Sequence, residues 1–287
     1  DVADELPDET LSLIRRAAKE EKPDALILGE VWEDAVIKES YGRRRNYALG
    51  CSLDSVMNYP FRDAALAFAR GQTDAYALRD FLICQQMNYP KPLYYSLMNL
   101  LGSHDVDRIR TALCTGVNIR SLSREEQVRL SFTDAQLAAA VETEKLCALL
   151  QFAIPGVPSI YYGDEQGMCG VCDPFNRQPF KEGVRELHDF YARLAAKRRG
   201  ADALSTGEAV FMAASADVLM VLRYINGDKD ALGESARPGA YLAVINRGAH
   251  SAGFTADCTA AGCGMFSGCI AAHSGRIFEL SKEGQRE

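Results

Sequence analysis

The sequence predicts an α/β fold in two parts: parallel βα units through residues 1–200, then a small antiparallel β domain through residues 201–287. Three observations predict it. Short apolar, strand-like runs alternate with amphipathic helical stretches through the first two-thirds of the chain, which is the mark of parallel βα units. After Gly200 the pattern turns to short strand candidates separated by turn formers such as Asn226-Gly-Asp and Pro238-Gly. The composition, 47% hydrophobic and 25% charged over 287 residues, is that of an ordinary globular chain and too apolar for disorder.

The elements follow in order. Pro7-Asp8-Glu9 reads as a helix first turn, because Pro lacks only an N–H that would be unpaired there and acids suit the positive helix end. That helix runs to about Lys22 and stops before Pro23. Ala25 to Trp32 is a short apolar strand, and Leu53 to Asn58 a second. Helices are expected near Phe61–Arg70 and Thr73–Met87, and a third strand at Ser96 to Gly102. From Asp134 to Phe152 the stripe Leu146, Leu149, Leu150 and Ala153 marks a long amphipathic helix. A fourth strand, Val157 to Tyr162, leads into a Gly/Asp/Cys/Pro-rich loop and a helix from Val184 to Arg199. Strand candidates in the second part are Ala209–Met212, Val218–Tyr224, Tyr241–Asn246 and Arg276–Leu280. No repeat of 20–50 residues is evident.

Composition also excludes partners. Thirty-two Lys and Arg against 39 Asp and Glu give a net charge of −7, and no Lys/Arg-rich run is present. Such a chain carries no electrostatic footprint for nucleic acid or an anionic membrane. Arg43-Arg-Arg45 reads as a solvated loop or helix end. The longest apolar run, near Leu146–Tyr162, is broken by Gln151, Pro155 and Pro158, so no segment is fit to span a bilayer. Nine cysteines, an odd number spread along the chain, do not make a disulfide scaffold. Cys84 and Cys147 sit in apolar stretches as buried small hydrophobes. A reducing compartment, and so the cytoplasm, is expected. The chain opens on Asp1 without Met and is expected to begin in mid-domain.

Each early strand ends in a polar cluster: Glu30 and Trp32, then His104, Asp105 and Asp107, then Asp164 and Glu165. In a parallel barrel, residues just past the strand C-termini converge on one rim, where active sites lie. Asp1, which precedes the helix leading into the Glu30 strand, would stand at the end of the strand before it. Paired carboxylates on one rim suit glycosidic cleavage: one protonates the leaving oxygen, and another attacks the anomeric carbon or activates water. A third raises the pKa of the acid by repulsion and stabilises positive charge on the sugar ring. On pattern alone, acids ending barrel strands serve equally to bind metals or cap helices.

Three segments resemble consecutive signature regions of the α-amylase family of glycoside hydrolases (family 13): Asp1-Val-Ala-Asp-Glu-Leu-Pro7, Leu28-Gly-Glu-Val-Trp-Glu-Asp34 and Asn99-Leu-Leu-Gly-Ser-His-Asp105. Leu53 to Phe61 is similar to the sixth barrel strand of that family. Tyr161 to Met168, with Asp173-Pro-Phe-Asn-Arg177, is similar to its eighth strand and loop. The group resembled is that of neopullulanase, cyclomaltodextrinase and maltogenic amylase, and the likeness covers residues 1 to about 200.

The resemblance implies the C-terminal half of a (β/α)8 TIM barrel over residues 1–200 (end of strand four to helix eight). A C-terminal antiparallel β-sandwich would follow over 201–287. It implies Asp1 as nucleophile, Glu30 as general acid/base and Asp105 as the third carboxylate. His104 would donate to the sugar before the scissile bond, Trp32 would offer a face to a leaving-side sugar, and Asp173 with Arg177 would contact the non-reducing side. The implied reaction is retaining hydrolysis of α-1,4 or α-1,6 glucosidic links in maltodextrins, cyclodextrins or pullulan. The family's Arg two residues before the nucleophile would precede residue 1, and half a barrel exposes strand edges, so the chain alone is expected to be inactive. No cofactor is assigned to this chain. Calcium, common in the family, would bind in the absent N-terminal part, and the full-length enzyme is expected to pair as a homodimer.

Other residues receive plainer readings. Asp54 and Asn58 are expected to shape the rim, Asp107 and Arg108 to pair behind it, and Asp164 with Glu165 to be rim structure. Cys169-Gly-Val-Cys172 lacks a second ligand pair at zinc spacing, the next cysteine being Cys258, so no metal is assigned. Cys258, Cys263 and Cys269 read as structural thiols. Alternatives to the hydrolase are a non-catalytic glucan-binding relative, against which the set Asp1, Glu30 and Asp105 argues, and a transglycosylase or a sucrose- or trehalose-converting enzyme of the same family.

Overall fold

A computed structural model describes residues 1–281. Helix α1 spans Asp8–Glu21, entered from Pro7 with Asp8 and Glu9 in its first turn. Strand β1 is Leu28–Gly29. A tight antiparallel pair follows, β2 (Glu39–Ser40) and β3 (Arg43–Arg44), turned by Tyr41 and Gly42, both at positive φ as such hairpins require. Strand β4 is Ser55–Val56 and helix α2 Tyr59–Ala69, capped by the Asn58 side chain accepting from the Phe61 amide. Then come α3 (Ala75–Asn88), α4 (Lys91–Ser96), β5 (Met98–Leu100) and α5 (Ile109–Cys114). Helices α6 (Arg124–Arg129) and α7 (Asp134–Ala153) both start on capping boxes, Ser123 with Glu126 and Thr133 with Gln136. Strand β6 (Val157–Ser159) and α8 (Arg185–Gly200) complete the first part, and α9 (Asp202–Thr206) opens the second.

The four short strands form one parallel array in chain order. Leu28 pairs with Ser55, Met57 bridges Met98, and Met98 pairs with Val157. The apolar residues Leu28 on β1 and Val157 on β6, at the two edges of the array, are 40% and 53% exposed. The strands are shorter than the apolar runs that encode them. The polar residues predicted at their C-terminal ends therefore lie in the loops just beyond.

The second part holds a four-stranded antiparallel sheet, ordered β12-β9-β8-β7. Its strands are β7 (Glu208–Ala213), β8 (Val218–Ile225), β9 (Gly239–Asn246) and β12 (Ser274–Leu280). Side chains alternate between its faces. Leu219, Val221, Ala243 and Ile245 share a buried core with Leu146, Leu149 and Leu150 of α7 and Leu78 and Leu82 of α3. Val218, Met220, Leu222, Leu242 and Val244 pack on Phe254, Ala256 and Ile270 of a separate hairpin, β10 (Ala252–Asp257) and β11 (Met265–Ile270). Burial on both faces explains why β8 reads as a continuous apolar run from Val218 to Leu222. The hairpin was not among the predicted strands: its stretch is rich in Gly, Ala, Ser and Cys, with little β-branched or aromatic signal.

Two buried arginines brace this junction, Arg223 across the two parts and Arg198 within the first. Arg223 of β8 donates to the carbonyls of Ala153 (2.8 Å), Leu204 (2.9 Å) and Gly207 (3.0 Å), and Arg198 of α8 to those of Phe152 (2.6 Å) and Ile154 (3.0 Å). Burial pushes the two guanidinium pKa values down to about 10 and about 9.

Several expectations need correcting. Cys147 is buried but Cys84 is exposed, because it falls on the outer side of α3; all nine cysteines are free thiols. Arg43 and Arg44 are solvated, whereas Arg45 is buried, paired with Asp8 at 2.7 Å and donating to the Asp4 carbonyl at 3.0 Å. Asp107 and Arg108 do not pair with each other: Asp107 pairs with Arg62 and Arg108 with Asp164, each at 2.9 Å. Asp54 precedes β4 and so lies at the end of the array away from the rim, where Arg15, Lys19 and the Ile27 amide surround its carboxylate. No helix among the described residues is long and apolar enough to cross a membrane.

Candidate active site

The loops past the C-terminal ends of β1, β5 and β6 bring most of the predicted site residues together. Glu30 follows β1. Its Oε1 accepts from the Trp32 indole N–H at 3.2 Å, and its Oε2 from the Val2 amide at 2.9 Å. The second bond sets the peptide that follows Asp1 against Glu30. Val2 adopts a left-handed conformation, φ 43°, which a β-branched residue rarely takes. Asp1 itself is exposed.

Past β5, His104 Nε2 lies 3.0 Å from Asp105 Oδ2, and the Asp105 amide donates to Ser103 Oγ at 3.1 Å. Asp105 Oδ1 faces Arg177 at 3.8 Å, and Arg177 also pairs with Asp173. The loop after β6 is thereby joined to the third predicted carboxylate. No cluster of three or more His, Cys, Asp or Glu side chains arranged for a metal occurs among the described residues.

Four residues hold the site in shape: Tyr59, Arg120 and Asn176, which the sequence reading did not single out, and Arg108, which it expected only to pair with Asp107 behind the rim. Tyr59, the first residue of α2, stacks on Trp32 with centroids 4.1 Å apart and planes within 3°, and its hydroxyl meets Ser103 Oγ at 3.2 Å. Burial, with the nearby charges of Asp105 and Glu30, raises the Tyr59 pKa against the opposing effect of its Ser103 hydrogen bond. Arg120 stands 4.5 Å over the Trp32 ring and donates to the Asp105 carbonyl at 3.3 Å. Asn176 is fully buried, and its side-chain amide donates to the carbonyls of Ser103 (3.2 Å), His104 (2.9 Å) and Val106 (2.6 Å). Arg108, also fully buried, donates to the carbonyls of Asn176 (3.1 Å) and Tyr162 (2.6 Å) and lies over the rings of Tyr161 and Tyr162. Asn176 stands inside the motif Asp173-Pro-Phe-Asn-Arg177 and was within reach of motif reading. Arg120, from a loop with no motif, was not.

Behind the rim, Asp164 is buried against Gly102, where any Cβ would run into its Oδ2, so only glycine fits there. Burial pushes the Asp164 carboxyl up to about 7 in spite of Arg108. Glu144 of α7 is buried with Oε1 accepting from the Tyr191 hydroxyl at 3.2 Å, and burial raises its pKa well above the ordinary carboxylate range. Asn58 is buried and hydrogen-bonded to Asn99 (2.9 Å) and Gln85 (2.9 Å), fixing the turn from β4 into α2.

A parallel βα array carrying carboxylates, a histidine and an aromatic pair on its C-terminal rim defines a barrel-type enzyme class. Comparison with known proteins narrows this. Residues 7–209 match the alpha amylase catalytic domain, a span that begins after Asp1. The chain is 36% identical over 261 residues to an amylopullulanase of Thermoanaerobacter thermohydrosulfuricus, covering 86% of this chain and 16% of that protein. It is 36% identical over 224 residues to a cyclomaltodextrinase of Geobacillus thermopakistaniensis, covering 76% and 32%. Among solved structures, a cyclomaltodextrinase superimposes with TM-score 0.70 at 30% identity, covering 90% of this chain and 38% of that one. The cyclic α-maltosyl-(1→6)-maltose hydrolase of Arthrobacter globiformis superimposes with TM-score 0.75 at 24% identity, covering 98% and 54%. The chain belongs to the α-amylase family of glycoside hydrolases and spans well under half the length of these curated relatives.

Proposed function

We propose that this chain carries the catalytic rim of a retaining α-glucan hydrolase of the neopullulanase and cyclomaltodextrinase group. Asp1 attacks the anomeric carbon to form a covalent glycosyl intermediate. Glu30 protonates the leaving oxygen and then activates the water that releases the sugar. Asp105 holds sugar hydroxyls and favours the distorted transition-state ring. His104 donates to the sugar before the scissile bond, Trp32 receives the leaving-side sugar, and Asp173 with Arg177 contacts the non-reducing side. The bonds cleaved are α-1,4 or α-1,6 glucosidic links in maltodextrins, cyclodextrins or pullulan. On this reading the carboxylates do the chemistry without a metal or cofactor held by this chain.

The observation that carries the reading is the convergence, on one rim of a family member, of Glu30, Trp32, His104, Asp105, Asp173 and Arg177, linked pairwise by the contacts above. Residues 1–200 are read as the C-terminal half of a (β/α)8 barrel and 201–287 as a β-sandwich domain. Four parallel strands with exposed apolar edges, and a match to 54% of a solved family member, support that division. A cytoplasmic location is supported by nine free thiols and by 28% identity to an intracellular maltogenic amylase of Bacillus subtilis.

Hydrolysis of maltotriose and β-cyclodextrin, followed by proton NMR of the first-formed anomer, tests the reading. The chain alone should show no turnover. Co-purified with the first four βα units of a family member, it should release the α-anomer, with Glu30→Gln and Asp105→Asn each at least ~10³-fold slower. A β-anomer first, or full activity in both variants, would remove the assignment.

A further inference from the structure

The two faces of Trp32 are both taken. Tyr59 lies flat against one, with ring centroids 4.1 Å apart, and the Arg120 guanidinium carbon stands 4.5 Å from the centroid. A stacked ring at that distance leaves no room for a cation on its own side, so Arg120 covers the opposite face. Tyr59 is immobile: it is buried, starts α2 and is bonded to Ser103. Arg120 is exposed, and a 3.3 Å hydrogen bond to the Asp105 carbonyl ties its guanidinium to the rim. Behind the trio opens a polar cleft of about 430 Å³, lined by Arg62, Asp63, Arg70, Gln72, Asp107 and Asn118 among others.

We propose that Arg120 is a specificity-determining residue for leaving-side sugars, competing with them for the one face of Trp32 that Tyr59 leaves free. This rests on the reading of the rim as a glucan site and adds its control. A pyranose ring and a guanidinium both seek an aromatic face, one through its C–H groups and the other through its charge, and they cannot share it. A leaving-side glucosyl unit that stacks on Trp32 must displace Arg120, while the cleft behind offers the donors and acceptors that sugar hydroxyls require. Short saccharides, which gain little beyond the stacking itself, are disfavoured. Longer ones that reach the cleft recover the cost of moving Arg120.

Trp32 is the sole tryptophan, so its fluorescence reports on this face directly in the full chain. Maltose and maltoheptaose are titrated against the wild type, Arg120→Ala and Arg120→Lys. Loss of a cation–π contact of this exposed kind corresponds to roughly a two- to five-fold change in affinity. Arg120→Ala should therefore bind maltose about two- to five-fold more tightly, maltoheptaose should gain less, and Arg120→Lys should fall between. Unchanged or weaker maltose binding in Arg120→Ala, with wild-type binding intact, overturns the competition and makes Arg120 a mere support for the Asp105 loop. No fluorescence response to either saccharide in any of the three proteins overturns the glucan reading of the rim and this proposal with it.

Discussion

The rim depends on a few polar side chains buried beneath it. Asn176 is the clearest. Its side-chain NH2 group shares two N–H donors among three carbonyls of the turn carrying His104 and Asp105, while the Asn176 backbone carbonyl accepts from Arg108. Stranding several buried acceptors costs about 1–3 kcal/mol for each effective bond lost, so Asn176→Ala should lower stability by about 2–4 kcal/mol in urea unfolding. Unchanged stability would show that water replaces the amide there. Glu144 and Asp164 act in the opposite sense. Both carboxyls are held above their ordinary pKa by burial, so the folded state keeps protons that the unfolded state has already released. Their contribution is full below the unfolded values and is lost as pH rises, for Asp164 between about 4 and about 7. Glu144→Gln removes its share of that loss. Its stability relative to wild type should therefore improve from pH 5 to pH 8, and a relative stability that stays flat or falls over that range would contradict burial of a protonated acid.

At the scale of elements, α7 is the spine. Leu149 meets the core of the antiparallel sheet, and a Cβ on Gly275 of β12 would come within 3.0 Å of it. The same helix packs on α5, α8 and α2, so its apolar surface wraps well beyond a single stripe. Leu149→Ala should cost about 2–5 kcal/mol as a buried large-to-small change. Because one core runs from Phe61 to Ile245 and joins the helices to the antiparallel sheet, far-ultraviolet circular dichroism should report the loss of helix and sheet in one shared transition. Separate transitions would mean that the sheet unfolds apart from the helices.

The same features decide how much of the molecule the sequence disclosed. The α7 stripe, the Pro7 entry to α1 and the strands of the main sheet were legible because local period, caps and apolar runs agree there. The β10–β11 hairpin was not, since its Gly/Ala/Ser-rich stretch carries little local preference and folds by packing Phe254, Ala256 and Ile270 on the main sheet. Ion pairs were the least legible. Arg45, Asp54, Asp107 and Arg108 find partners 35 to 56 positions away, which no local pattern encodes.

At the scale of the whole molecule, a parallel array turns four separate loops into one rim, and the candidate site exists only because every strand points the same way. The rim residues Glu30, Trp32, His104 and Asp105 were readable as motifs. Of their supports, Tyr59 and Arg120 emerged only from three-dimensional contact, while Asn176 stood inside a motif that did not show what it holds. The central claim is that Asp1 is the nucleophile beside Glu30. Its most direct test is mass spectrometry of the complemented Glu30→Gln protein after reaction with an activated fluoro-maltosyl donor, which forms the glycosyl intermediate and releases it slowly. One glycosyl unit is expected on the peptide that begins at Asp1, absent in Asp1→Asn. A label on Asp105, or turnover of the donor with Asp1 unmodified, would contradict it.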